Sequence, residues 1–173
     1  SVYNSMTSRL LVDKIEGKTT SGTIQMPEGH VIQTQRNVDK TNVVDITSGS
    51  YTEVGSSFRC SITPKFSSSK MLVFASFHIV AYASQSSSGV KVMRSSDGAS
   101  SFSDITDYGH GSTTESHRNT GSNSLFHSNA YVMLDEPATT NALIYSYFAA
   151  TNGTIRFNDN GGGCRIIVQE IAG

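Results

Sequence analysis

The chain has 173 residues, 36% hydrophobic and 16% charged, with a net charge of −1 from 13 basic and 14 acidic side chains. That is room for one domain plus an arm. The balanced charge gives no basic face for phosphates and no apolar run is long enough for a span, so neither nucleic-acid binding nor membrane insertion is expected.

The start, Ser1–Arg9, is polar and lacks the basic-then-apolar order of a secretion signal, so assembly in a cytoplasm is expected, with Ser1 left after loss of an initiator Met. Leu10–Ile15 and Thr23–Met26 are short strand candidates, cut apart by Gly17, Gly22, Pro27 and Gly29. They hold too few apolar residues for a core and must bury them against other chains. Residues 1–29 therefore read as an extended N-terminal docking arm, with Leu10, Leu11, Val12 and Ile15 as its docking side chains. Residues 30–173 read as a knob.

In the knob, strand-like runs follow at His30–Gln35, Asn42–Ile46, Phe58–Thr63, Lys70–Ala83, Val90–Arg94, Ser101–Asp107, Ser124–Leu134, Ala142–Ala150, Thr154–Asn158 and Cys164–Ile171. Gly, Ser, Asn and Asp separate them, and none holds a helical period. The expected class is all-β: an antiparallel β-sandwich or jelly roll. Asn152-Gly153 reads as a two-residue hairpin turn, which needs positive φ at both positions, in preference to a glycosylation triplet with Thr154. Asp97-Gly98 is a weaker signal of the same kind.

Lys70–Ala83 is apolar on both faces, as is Ala142–Ala150. A strand with one wet face alternates. The expectation is an oligomer interface that includes Phe74, Phe77, His78, Tyr82, Tyr145 and Tyr147. The alternative is that these are central strands whose second face is covered by loops. Three polar segments, Ser84–Gly89, Ser95–Ser103 and His110–Ser124, read as loops, and the last is long enough to be functional.

Catalytic patterns are sparse. Gly161-Gly162-Gly163 precedes a strand and reads as a turn, not a phosphate cradle. No Ser lies in a Gly-x-Ser-x-Gly elbow. Cys60 and Cys164 read as core thiols rather than a disulfide. His110 and His117 lack diagnostic metal spacing, and Asn158-Asp159-Asn160 lacks the acidic pattern of a calcium loop. No metal, no cofactor and no enzymatic activity are expected. Tyr108, His110, His117, Arg118, Asn119 and Asn123 supply an aromatic, cation and amide set suited to a glycan, and they are the candidate ligand-binding residues.

Several patches share a likeness. Leu11-Val12-Asp13-Lys14-Ile15-Glu16-Gly17 and Ser21–Gln33, then Ser67-Ser68-Ser69-Lys70-Met71-Leu72-Val73, Leu134-Asp135-Glu136-Pro137-Ala138-Thr139-Thr140 and Ile166–Ile171, resemble segments of virion-fibre and tail-fibre proteins of tailed bacteriophages, marine phages especially. The resemblance implies a homotrimeric β-sandwich knob on the virion, often used to touch a host. It implies partners in other virion proteins, through the arm, and in host-surface polysaccharide. A short fibre or spike subunit suits the length; a capsid decoration, cement or collar protein is the alternative.

Overall fold

The computed structural model describes residues 26–82, 85–105, 115–119 and 123–173. Period-two alternation drives the strands. In Cys164–Ile171, Cys164, Ile166 and Val168 are buried while Arg165 is exposed. The chain order is β1 (Val31–Asp39), β2 (Val44–Ile46), β3 (Thr52–Glu53), β4 (Cys60–Ile62), β5 (Lys70–Ala81), β6 (Gln85–Ser95), β7 (Ser103–Asp104), β8 (Glu115–Asn119), β9 (Leu125–Asp135), β10 (Leu143–Thr151), β11 (Ile155–Phe157) and β12 (Cys164–Ile171). Single 3-10 turns sit at Ser56–Phe58 and Asp159–Gly161, and the described residues contain no α-helix.

The strands form two antiparallel sheets packed as a sandwich. In the first, β5 is central. β9 covers one of its edges along its whole length, and the other edge is shared: β12 pairs with Lys70–Ser76 and β11 with Ile79–Ala81. β1 then pairs with β12, and β2 with β11. In the second, β10 is flanked by β6 on one side and by β3 and β4 on the other, and β6 carries β7 and β8. The all-β sandwich expected from the strand spacing is the fold observed.

The core lies between the sheets. From the first come Val73, Ala75, Phe77, Ile79, Ile166 and Phe157; from the second, Leu143, Tyr145, Tyr147 and Val92. Phe77 meets Tyr147 edge-on at 5.6 Å and Phe157 at 6.0 Å, separations at which aromatic quadrupoles attract. Cys60 and Cys164 are buried with free thiols, and burial pushes both up to about 11.

Polar ties cross the core. The Tyr147 hydroxyl, on the second sheet, points between the carbonyls of Arg165 (2.7 Å) and Ser76 (2.9 Å) on the first. Tyr145 donates to Asp135 of β9 at 2.7 Å, and Arg94 of β6 pairs with the same carboxylate at 2.5 Å. Burial, with the Asp135 charge alongside, drives the Tyr145 phenol far above its usual range. Tyr145 and Tyr147 are fully buried and Phe77 is 2% exposed, so these three are core residues of one chain and not the interface residues expected from the sequence. The reason is parity: each occupies an inward position of its strand.

Other expectations change too. Asn152-Gly153 does not turn a hairpin. β10 and β11 lie in different sheets, the link crosses between them, and neither residue has positive φ; Gly153 N–H instead donates to Thr151 Oγ1 at 3.1 Å. Gln85–Gly89 and Glu115–Asn119 are not loop but paired strand, with Ser88 opposite His117 and Gly89 opposite Ser116. Asp97-Gly98 lies in the link from β6 to β7 but is not a two-residue hairpin: the link runs from Ser95 to Ser103, and the positive φ values fall on Gly98 and Ala99, not on Asp97.

At the end of the sandwich, the fully buried Glu170 carboxylate accepts from Lys65 N–H (2.6 Å), Ser69 Oγ (2.7 Å) and Gln33 Nε2 (2.6 Å), so it pins the β4–β5 link. Glu170→Ala removes the acceptor of the buried Ser69 hydroxyl and of the part-buried Lys65 and Gln33 donors and should cost about 3 kcal/mol in urea unfolding, against under about 1 kcal/mol for Asp45→Ala at the surface pair with Arg156.

The pH profile has a defined sign. Hydrogen bonds from Arg59 hold Glu53 below its usual range, and those from Arg156 do the same for Asp45. At Asp39, burial raises the carboxyl, but hydrogen bonds from Asn42 and Thr41 outweigh it, and the group ends lowered. Groups depressed in the folded state stabilise it fully above the unfolded carboxylate range and lose that contribution as pH falls through their folded values. The urea midpoint should therefore hold level near neutrality and drop below about pH 4, with a shallower drop in Glu53→Gln.

Candidate interaction face

The outward faces of the two sheets differ. On the second sheet, Phe148 points outward but is covered by Phe102 from the β6–β7 loop, ring centroids 4.9 Å apart. The Arg59 guanidinium lies over Phe102 at 5.8 Å and forms a double hydrogen bond with Glu53, which also accepts from Ser146 Oγ. Nearby, Lys91 sits 4.1 Å from the Tyr51 ring centre and 2.9 Å from Asp104. The two-sided character of β10 thus resolves as the alternative reading had it: its own chain covers the second face.

Among the described residues, nothing covers β9 of the first sheet in this way. Register places Leu72 opposite Leu134, and Phe74 opposite Val132 on one side and Ile167 on the other. All five project outward. Val132 is 56% exposed, Leu134 55%, and Phe126 further along β9 is 61% exposed. A contiguous apolar patch of this kind marks an interaction site or an aggregation hazard.

Toward the other end, the same face turns polar. His78 Nδ1 lies 3.0 Å from Ser128 Oγ, and the His78 ring stacks on Phe126 at 6.2 Å. A cavity of about 180 Å³ opens here, lined by Ser76, His78, Ser128, Gly162 and Arg165. Gly162 is required by space: a Cβ there would fall 2.3 Å from His78 Cγ. His78 and Ser128 lie side by side on adjacent strands, and among the described residues no carboxylate is hydrogen-bonded to the ring as a triad's third member would be. Among the described residues no three of His, Cys, Asp and Glu are grouped as metal ligands, and no helix is long and apolar enough to cross a membrane.

Of the remaining sequence candidates, Phe74 and His78 do lie on this face. Tyr82, half-buried at the end of β5, lies under the Arg156 guanidinium at 5.4 Å. His117, Arg118 and Asn119 fall on β8 in the other sheet, beside β6, and Asn123 is exposed just before β9. Tyr108, His110 and the arm residues Leu10, Leu11, Val12 and Ile15 lie outside the described residues. Sequence reasoning passed over Val132 and Leu134, although their alternation with Met133 carried the signal. The sequence matches no protein-family model and no curated protein.

Gly162→Ala forces the His78 ring out of place and should destabilise the fold by about 1–3 kcal/mol. Combining it with His78→Ala frees the space. The double variant should be more stable than the sum of the two single effects predicts, a coupling read from denaturation midpoints.

Proposed function

We propose that this chain is a structural, non-enzymatic protein of a bacteriophage virion: a short trimeric fibre or spike subunit, anchored by its N-terminal arm and exposing the sandwich as a knob that contacts host-surface glycan. The observation that carries the reading is the open apolar patch on β5 and β9. Leu72, Phe74, Val132 and Leu134 call for a protein partner, and a further copy of the chain supplies one by symmetry. The likeness of the arm and of the Ser67–Val73 and Leu134–Thr140 segments to phage fibres supports the setting. A decoration or collar protein would use the same patch for assembly and differ in making no host contact.

Sedimentation of the full chain at micromolar concentration should give a trimer. Val132→Glu combined with Leu134→Glu changes two exposed side chains outside the core and should yield a folded monomer with near-parental urea stability. A parental protein that sediments as a monomer would end the trimer reading. Adsorption of phage carrying a knob-disrupted chain separates the two settings: reduced adsorption favours the fibre, normal adsorption the decoration protein.

A further inference from the structure

The sequence shows no block of positive charge, but strand pairing builds one. β1 and β12, at opposite ends of the chain, lie side by side with Val38 opposite Arg165 and Arg36 opposite Ile167. Arg36 and Val38 share the outward face of β1, and Lys40 follows just past its end. Lys40 and Arg165 meet over Gly163: a Cβ built there would lie 3.7 Å from Lys40 Cγ and 3.8 Å from Arg165 Nη2. Arg59, Lys70, Lys91, Arg94 and Arg156 each hold a carboxylate within 4 Å. Arg36, Lys40 and Arg165 form no such pair among the described residues.

Among the described residues, the acidic group nearest them in the chain is Asp39, buried at the end of β1. Its oxygens are occupied by the N–H groups of Thr41 (3.0 Å) and Asn42 (2.9 Å) and by the amides of Asn42 (2.7 Å) and Asn158 (3.2 Å). It neutralises part of the field without closing an ion pair, and the cluster keeps a positive excess.

The cluster also has a shaped floor. An open cavity of about 700 Å³ has Arg36, Val38, Asp39, Lys40, Thr41, Asn42 and Ser57 in its wall. Its size is that of small-ligand sites, about 300–1,000 Å³. Arg165 lines the smaller cavity, with Ser76, His78 and Ser128. Guanidinium groups bind carboxylate and sulfate through paired hydrogen bonds. The neighbouring hydroxyl and amide groups match sugar hydroxyls, and Val38, 39% exposed, gives an apolar surface for a ring face. Three cations without an aromatic stacking platform in that wall make a poor match for nucleic acid.

We infer that Arg36, Lys40 and Arg165 form a binding site for an acidic oligosaccharide, its carboxylate or sulfate groups on the two guanidinium groups and its hydroxyls on Thr41, Asn42 and Ser57. This inference rests on the glycan-contact part of the proposed function and gives that contact a place and a ligand class.

The test is calorimetric titration of the full chain with tetragalacturonate and with a sulfated heparin tetrasaccharide. Maltotetraose, sodium sulfate and single-stranded dT8 serve as controls. The expected result is saturable binding of at least one acidic tetrasaccharide, weakened by added salt and about tenfold weaker in Arg36→Gln and in Arg165→Gln, with maltotetraose silent. Binding of neither acidic sugar, or equal binding by both variants, overturns the site. Sulfate bound as tightly as the tetrasaccharides, or dT8 bound more tightly, overturns the ligand class. Sedimentation of the same samples keeps the two readings apart: a trimer that binds no acidic sugar overturns this site alone, and a monomer that binds one supports it while removing the trimer.

Discussion

The sandwich depends on how strand β5 changes partners. β12 leaves it after Ser76 and β11 joins at Ile79. Such a switch leaves backbone carbonyls without a ladder, and in a dry interior each unpaired group costs roughly 1–3 kcal/mol. The Tyr147 hydroxyl reaches across the core to the Ser76 and Arg165 carbonyls, and Asn158 N–H donates to the His78 carbonyl at 3.0 Å. Because Tyr147 belongs to the opposite sheet, the group that fills the gap also fixes how the sheets sit on each other. Tyr145 acts similarly two residues earlier, on Asp135. Period two puts both on the inner face of β10.

The same switch shapes the outer surface. The chain between β11 and β12 must turn back within a few residues. It does so with Asn158 and Asn160 in the left-handed region and with Gly161 and Gly163 at positive φ. Gly162 packs on His78, and Gly163 has Lys40 and Arg165 both beside it. The cationic cluster is thus a by-product of closing the sheet, set on the β1 side of the face. The apolar patch lies on the β9 side. One sheet thus carries two surfaces of different chemistry.

The two sheets also show why an apolar strand face is ambiguous in isolation. Phe148 and Phe74 are alike in sequence setting: each is an aromatic on the second face of a two-sided strand. Phe148 is covered because the β6–β7 loop folds Phe102 over it, held by the Asp97 carboxylate, which accepts from Ser95 Oγ at 2.6 Å and from Ser100 and Ser101 N–H at 3.1 and 3.0 Å. Those hydrogen bonds, Ser101 Oγ and Ser95 Oγ first, hold Asp97 well below the usual carboxylate range. Val132 and Leu134, beside Phe74 and Leu72, have no comparable loop among the described residues and are exposed.

Much of the strand content was legible in the sequence, because side-chain alternation is local. Cys164–Ile171 matches residue for residue, and β5, β9 and β10 match to within two residues at each end. The opposite directions of Asp135, buried against Arg94 and Tyr145, and Glu136, near Lys70, follow from the same period. Alternation cannot say which sheet a strand joins. Asn152-Gly153 looked like a hairpin because its flanking strands are sequence neighbours, yet they went to different sheets. Phe77, Tyr145 and Tyr147 looked like interface because nothing local separates an aromatic facing the opposite sheet from one facing another chain. Arg165, over a hundred residues from Arg36 and Lys40, came beside them only when the first and last described strands paired. Pairing between distant strands is decided by the burial of the whole core, and no window of sequence contains that information.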